Sequence, residues 1–237
     1  MKYSLVVPCY NESRNIPCLI DNCIKVLKKR KIEIILVDNG STDNSSKILS
    51  NLSKKNKSIK IIKIKKNKGY GYGILKGLRC STGDIIGWTH ADLQTDLSDY
   101  LRAIKFFKNR KDKVFVKGKR LNRSFKDNFF TFGMSLLATI LLNKTYWDIN
   151  AQPTVFTKKF FNKWTKPPND FSLDLYSYYF SNKENLTKYR INVNFKKRIH
   201  GFSSWNFNLN SKIKLICNTI KYMILIRKEN RHGNYNS

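Results

Sequence analysis

The chain has 237 residues and carries 46 Lys and Arg against 16 Asp and Glu, a formal net charge of +30. An apolar fraction of 41% with 13% aromatics excludes a disordered chain and suits one domain with a full core. The charge, mostly lysine, creates a positive field that favours anionic membrane surfaces, nucleic acids or phosphorylated substrates. No motif for nucleic-acid recognition accompanies it, so no nucleic-acid partner is expected.

The five cysteines (Cys9, Cys18, Cys23, Cys80, Cys217) are odd in number and follow no ligand spacing, which fits reduced thiols and a cytoplasmic setting. The chain opens on an apolar strand without a basic region and long apolar run, and no secretory leader is expected. No stretch of about 18 uninterrupted apolar residues announces a membrane-spanning helix.

In chain order, Leu5 to Val7 reads as a short buried strand. Asn15 to Lys28 reads as a helix with Ile16, Leu19, Ile20, Cys23, Ile24 and Leu27 on one face. Ile32 to Val37 is a second strand ending in Asp38-Asn39-Gly40. Ser41-Thr42-Asp43 caps a helix to about Lys54. Ile59 to Ile64 is a third strand, and Asn67 to Gly73 opens a helix to about Cys80. Gly69, Gly71 and Gly73 lack the spacing of a nucleotide fingerprint and read as a tight loop into that helix. Asp84 to Trp88 is a fourth strand. Leu97 to Lys108 reads as a helix, Val114 to Lys117 as a strand, Phe129 to Leu142 as a strongly apolar segment. Gln152 to Thr157 and Ile191 to Phe195 read as strands, and Lys212 to Arg227 as an amphipathic helix.

Strands alternating with helices imply a mostly parallel sheet with helices on both faces. Ligands of such sheets bind beyond the carboxyl ends of the strands. Pro8-Cys9-Tyr10, Asp38-Asn39-Gly40 and His90-Ala91-Asp92 all sit at such ends and can converge on one crevice. At the fourth strand's end, Asp92 can give a hard cation such as Mg²⁺ or Mn²⁺ one oxygen and Gln94 a second by its carbonyl. His90 can give an imidazole nitrogen, which suits Mn²⁺ better. A strand-end Asp also serves as a turn or helix cap.

Five local signals resemble family 2 glycosyltransferases. Val6-Val7-Pro8-Cys9-Tyr10-Asn11-Glu12 resembles their opening strand and loop, and Val37-Asp38-Asn39-Gly40-Ser41-Thr42-Asp43 their VDDGSTD loop. Asn67-Lys68-Gly69 with Gly77 and Gly83-Asp84 resembles the stretch before their DxD motif. His90-Ala91-Asp92-Leu93-Gln94 resembles the DADLQ form of polyprenyl-phosphate transferases of the dolichol-phosphate mannose synthase type. Arg198-Ile199-His200-Gly201-Phe202-Ser203 resembles the RxxGxS motif of that subgroup.

The resemblance implies an α/β GT-A (Rossmann-like) fold over 1–210, followed by a basic amphipathic C-terminal helix and tail at 211–237. It implies an inverting transfer from a GDP- or UDP-sugar to a polyprenyl-phosphate or lipid-linked or cell-surface glycan, with Mg²⁺ or Mn²⁺; the apolar segment 129–142, the helix 212–227 and the positive field together suggest peripheral contact at the cytoplasmic face of a membrane. By the same resemblance Pro8, Tyr10 and Glu12 line the nucleoside pocket, and Asp38 with Asn39 meets the base or ribose. Ala91 and Asp92 lie against ribose and diphosphate, Asp92 and Gln94 (with His90 beside them) hold the metal, and Arg120 and Arg198 meet donor diphosphate or acceptor phosphate.

The chain departs from the family pattern at Asn39 and His90, where Asp is usual, and at Ser204, where the polyprenyl-phosphate enzymes carry Lys. A lipid phosphate is already anionic and needs no base, whereas a sugar hydroxyl does. Asp170 and Asp174 stand roughly where hydroxyl-transferring relatives carry a catalytic Asp, and each is also placed to cap a helix. Glycan extension with one of them as base is therefore the alternative. His90 also leaves room for a degenerate sugar-nucleotide-binding relative, and the charge for a nucleic-acid binder.

Overall fold

The computed structural model describes residues 1–53, 58–108, 113–123, 125–198, 200 and 209–233. Its first half alternates β1 (Tyr3–Cys9), α1 (Ile16–Lys29), β2 (Glu33–Asn39), α2 (Ser45–Ser53), β3 (Ile59–Ile64), α3 (Tyr70–Cys80) and β4 (Ile85–Trp88). β1 pairs in parallel with β2 and β4, and β2 with β3. β1, β2 and β4 are buried along almost their whole length and mostly apolar because both faces are covered, the signature of a buried parallel sheet. Alternation sorts the side chains. Leu5, Val7 and Cys9 of β1 face one core, with Ile16, Leu19 and Cys23 of α1. Val6 faces the other, with Ile74, Leu75 and Leu78 of α3.

The second half adds α4 (Ser98–Ala103) with a 3₁₀ turn at Ile104–Phe107, β5 (Val114–Leu121), α5 (Phe125–Leu142), β6 (Thr154–Thr157), α6 (Lys158–Phe161), α7 (Ser172–Lys183), β7 (Thr187–Asn194) and α8 (Leu209–Gly233). The seven strands run in the order β3-β2-β1-β4-β6-β5-β7, with β6 antiparallel to both neighbours and β5 parallel to β7. The expected mostly parallel sheet with helices on both faces is present.

Several boundaries differ from the sequence reading. The helix expected at 97–108 is α-helical only to Ala103 and then tightens into the 3₁₀ turn. The helix expected to follow Ser41-Thr42-Asp43 directly begins at Ser45, because those three residues bond across to the loop after β1. α3 begins only at Tyr70, after Gly69 in a left-handed conformation (φ 103°). The apolar segment 129–142 is part of α5, and α8 extends beyond its expected ends. α8 buries Met223 and Ile226 in the same core as Ala138 of α5.

Gly77 lets α3 approach the sheet: a Cβ there would lie 2.3 Å from Val6 Cγ1 and 3.0 Å from Val37 Cγ2. Both neighbours are β-branched and stiff. Gly77→Ala is expected to destabilise the protein by about 1–3 kcal/mol, read as a lowered urea midpoint at unchanged slope.

Candidate active site

The in-register pairing of Cys9 with Asp38 sets the loops after β1 and β2 side by side. They are then stitched together. Asn11 (φ 54°) donates its backbone N–H to Ser41 Oγ at 3.1 Å and accepts at Oδ1 from Thr42 N at 2.8 Å. Glu12 N donates to Ser45 Oγ, and Ser13 N to Asp43 Oδ2. Ser41 and Thr42 thus hold the first loop in place. Asp38, 1% exposed, accepts Ser41 N at Oδ1 while its Oδ2 is buried without a hydrogen-bond partner. Asn39 donates Nδ2 to Gly69 O at 2.9 Å and to Asn67 Oδ1 at 3.3 Å, leaving its Oδ1 buried and unpaired. An aspartate at position 39 could make neither donation, which gives this departure from the usual Asp a local reason.

Beyond β4 the chain makes a turn with Leu93 at φ 61°. Asp92 Oδ1 accepts Gln94 N at 3.2 Å. Gln94 is tied to the segment after β7, donating Nε2 to Lys196 O at 3.1 Å and accepting Lys196 N at its backbone oxygen at 2.8 Å. Arg198 bridges two carboxylates, reaching Glu12 Oε1 at 2.7 Å and Asp92 Oδ2 at 3.5 Å. Burial raises the Glu12 carboxyl above the usual range, against the hydrogen bond from Asn15 and the charge of Arg198. Burial lowers the His90 imidazole, outweighing the nearby charges of Asp92 and Asp174. His90 is therefore neutral near pH 7, the form that ligates metals.

A buried polar network underlies the turn. Asp174, in the first turn of α7, accepts Lys117 Nζ at 3.0 Å and Gln152 Nε2 at 2.7 Å on Oδ1, and Tyr70 Oη–H at 3.2 Å on Oδ2. Lys117 Nζ also donates to Thr154 Oγ1 at 2.8 Å. Lys117 and Asp174 are each 1% exposed. Burial lowers the Lys117 amine, against the charge of Asp174. Breaking such a pair strands the other charge, at a cost of about 3–5 kcal/mol.

These residues surround one cavity of about 530 Å³. Pro8, Tyr10, Glu12, Asn39, His90, Ala91, Asp92, Gln94, Arg120, Arg198 and Asp174 all line it, together with Phe130 and Met134 of α5 and Leu215 and Ile216 of α8. Asp38, 1% exposed, is not among the lining residues. Asp170 is exposed, is not among the lining residues, and accepts Ser172 N at 2.9 Å, a helix-cap contact. Arg120 lies over the Phe195 ring at 5.3 Å and is gripped by Asp148, which accepts Arg120 N and Nε at 2.8 Å each and also pairs with NH2. Gly201, Phe202, Ser203 and Ser204 lie outside the described residues.

Sequence reasoning missed Tyr70, Lys117, Gln152 and Asp148. Lys117 had a signal: it is the first charge after the apolar run Val114-Phe115-Val116 of β5, and an amine that continues a buried run demands a buried partner.

Among the described residues no group of three or more His, Cys, Asp or Glu is arranged to hold a metal. The donor set still fits a divalent cation that keeps phosphate oxygens and water as its other ligands: one carboxylate, Asp92, with a neutral imidazole, His90.

Residues 4–161 match the model of Glycosyl transferase family 2. Dolichyl-phosphate beta-glucosyltransferase of Dictyostelium discoideum is 29% identical over 176 residues, covering 66% of this chain and 54% of that protein. Undecaprenyl-phosphate 4-deoxy-4-formamido-L-arabinose transferase of Proteus mirabilis (strain HI4320) is 33% identical over 147 residues, covering 60% of this chain and 44% of that protein. The chain thus spans about half the length of these curated relatives. Among solved structures, glucosyl-3-phosphoglycerate synthase from Mycobacterium tuberculosis in complex with Mn²⁺, uridine diphosphate and glucosyl-3-phosphoglycerate superposes with a TM-score of 0.72 at 15% identity. The match covers 95% of this chain and 79% of that one. It shows the shared fold.

Burial opposes ionisation of Asp148, but the charge and hydrogen bonds of Arg120 win and hold its carboxyl below the usual range. A depressed folded-state value stabilises the protein above the unfolded aspartate value of about 3.9, and that contribution is lost as pH falls toward the folded value. Asp148→Asn is expected to lower the melting temperature at pH 7 and to flatten its fall between about pH 4 and the folded value, checked by calorimetry across pH.

Proposed function

The chain belongs to glycosyl transferase family 2, and on that premise we propose that it is an inverting transferase moving a sugar from a nucleotide-sugar donor to a polyprenyl phosphate. One observation carries the choice of acceptor. Among the described residues, each carboxylate lining the cavity is engaged: Glu12 by Arg198 and Asn15, Asp92 by Gln94 and Arg198, Asp174 by Lys117, Gln152 and Tyr70. A hydroxyl acceptor needs a carboxylate ready to take its proton; a phosphate arrives without that need. Arg120, Arg123 and Arg198 line the same cavity, and guanidinium forks suit phosphate oxygens. The two curated relatives, by name a dolichyl-phosphate and an undecaprenyl-phosphate transferase, support the same acceptor class.

On the donor side, the unpaired buried acceptors Asp38 Oδ2 and Asn39 Oδ1 suit the N–H and O–H donors of a nucleoside. Tyr10, 37% exposed at the cavity rim, offers a ring for the base. Asp92 and His90 would hold Mn²⁺ or Mg²⁺, which when bound supplies positive charge to the leaving diphosphate. Arg198 and Arg120 orient phosphate oxygens, and the apolar wall of α5 and α8 keeps water from the reacting centre.

The working position is the surface of a membrane at its cytoplasmic face. No described helix is long and apolar enough to cross a bilayer. α5 instead exposes Phe129, Phe132 and Ile140 (67%, 50% and 64%), and α8 exposes Ile213, Ile224 and Leu225. The same two helices wall the cavity, so an apolar face and a basic protein meet where a lipid-borne phosphate would enter.

Thermal unfolding with UDP-, GDP-, CMP- and dTDP-sugars, in Mn²⁺, Mg²⁺ and EDTA, tests the donor site. A metal-dependent rise with one nucleotide, abolished in Asp92→Ala, is expected; no rise with any donor would sink the transferase reading. Membrane contact is tested by sedimentation with vesicles. Binding to phosphatidylglycerol-containing vesicles is expected to exceed binding to neutral ones, to weaken with salt, and to fall at least several-fold in the Phe129→Ser/Phe132→Ser double variant.

A further inference from the structure

We propose that Asp174 reads the donor sugar, accepting a hydrogen bond from one of its hydroxyls, with Lys117 as the positioning residue that compensates its charge. This rests on the transferase reading and assigns Asp174 a binding role in place of a base role.

A carboxylate offers about four acceptor sites. In Asp174 three are taken, by Lys117 Nζ, Gln152 Nε2 and Tyr70 Oη–H. Two of the three fall on Oδ1, so Oδ2 keeps an acceptor site beside the Tyr70 hydroxyl. Asp174 lines the cavity although it is 1% exposed, so that site is reached from the cavity and not from bulk water. A proton carrier must gain and lose charge during the reaction. Were Asp174 to take a proton, the Lys117 ammonium would stand buried without its counter-charge. A fixed acceptor has no such difficulty.

The surroundings match a pyranose. The Tyr70 ring is stacked on Phe171 (centroids 4.5 Å apart, planes 9° apart) and lies 5.7 Å from the His90 ring. Tyr70, Phe171 and His90 line the cavity with Asp174, which sets an aromatic surface for C–H groups beside an acceptor for O–H groups. Asp92 lines the same cavity, so a sugar whose diphosphate meets Asp92 has this floor within its reach.

The test compares two ligands that differ only by the sugar. Dissociation constants of UDP-glucose and UDP, and of GDP-mannose and GDP, are measured by calorimetry for the wild type, Tyr70→Phe and Asp174→Asn. For the pair that binds, Asp174→Asn is expected to weaken the sugar-bearing ligand by about tenfold, or about 1.4 kcal/mol, and Tyr70→Phe, which removes the donor that orients Oδ2, by about threefold, with the bare diphosphate weakened by less than about twofold in both. A donor analogue lacking the contacted hydroxyl should bind the wild type and Asp174→Asn equally. Tyr70→Phe removes one oxygen and keeps the test open if Asp174→Asn does not fold. Equal loss for both ligands, or unchanged sugar affinity with donor hydrolysis abolished, would overturn the inference. A wild type that binds neither member of any pair, with CMP- and dTDP-sugars and their bare nucleotides included, overturns the transferase reading with it; a wild type that binds both members while the variants change nothing overturns this inference alone.

Discussion

The parallel pairing of β1 with β2 on one side and β4 on the other is the constraint on which the rest depends. Cys9 stands opposite Asp38, and Val6 opposite Trp88, so the strands end within a few residues of one another at the same edge. Three segments separated by tens of residues thereby become one surface. Nothing in that edge is regular structure, so its backbone must be satisfied by side chains. Asn11, Ser41, Thr42, Asp43 and Ser45 do this between the first two loops, and Gln94 with Lys196 does it between the third loop and the end of β7. The loops of this edge are tied together because their polar side chains bond to one another's backbone.

The second half of the chain closes that edge from the side. β6 enters antiparallel between β4 and β5, and its Thr154 stands beside Lys117 in the sheet. α7 then brings Asp174 onto Lys117 across 57 residues of sequence. A basic protein has placed one of its lysines where it has no access to water, and the partner it requires is delivered to the floor of the cavity. The same logic holds at Arg120 and Asp148 on the cavity wall. In a chain of net charge +30, both of these buried cations are held by an acid delivered from a distant part of the sequence.

How far this was legible in the sequence follows the range of the interactions. The strands and their end motifs were readable because apolar runs and turn residues are local. The choice between Asp170 and Asp174 was not readable: both precede or open a helix, and only the packing of α7 on β5 and β6 turns one inward and leaves the other as an exposed cap. Ser41 and Thr42 carry the side chains of helix caps, and local rules cannot tell whether such a hydroxyl serves its own helix or a loop 30 residues away. The helix ending at Ala103 kept its apolar period through the 3₁₀ turn, so periodicity alone extended it.

The bridge from Arg198 to Glu12 and Asp92 has a consequence for how the cleft handles charge. Glu12 and Asp92 repel each other, and the guanidinium is the cation that already separates them. One guanidinium against two carboxylates offsets only part of their charge before any ligand arrives. A cation that took Asp92 Oδ2 would compete with Arg198 for that oxygen, and an anion that drew Arg198 away would ease the cation's entry. Affinity for the one and affinity for the other would then be coupled through a single side chain, and by thermodynamic reciprocity each would alter the other by the same factor.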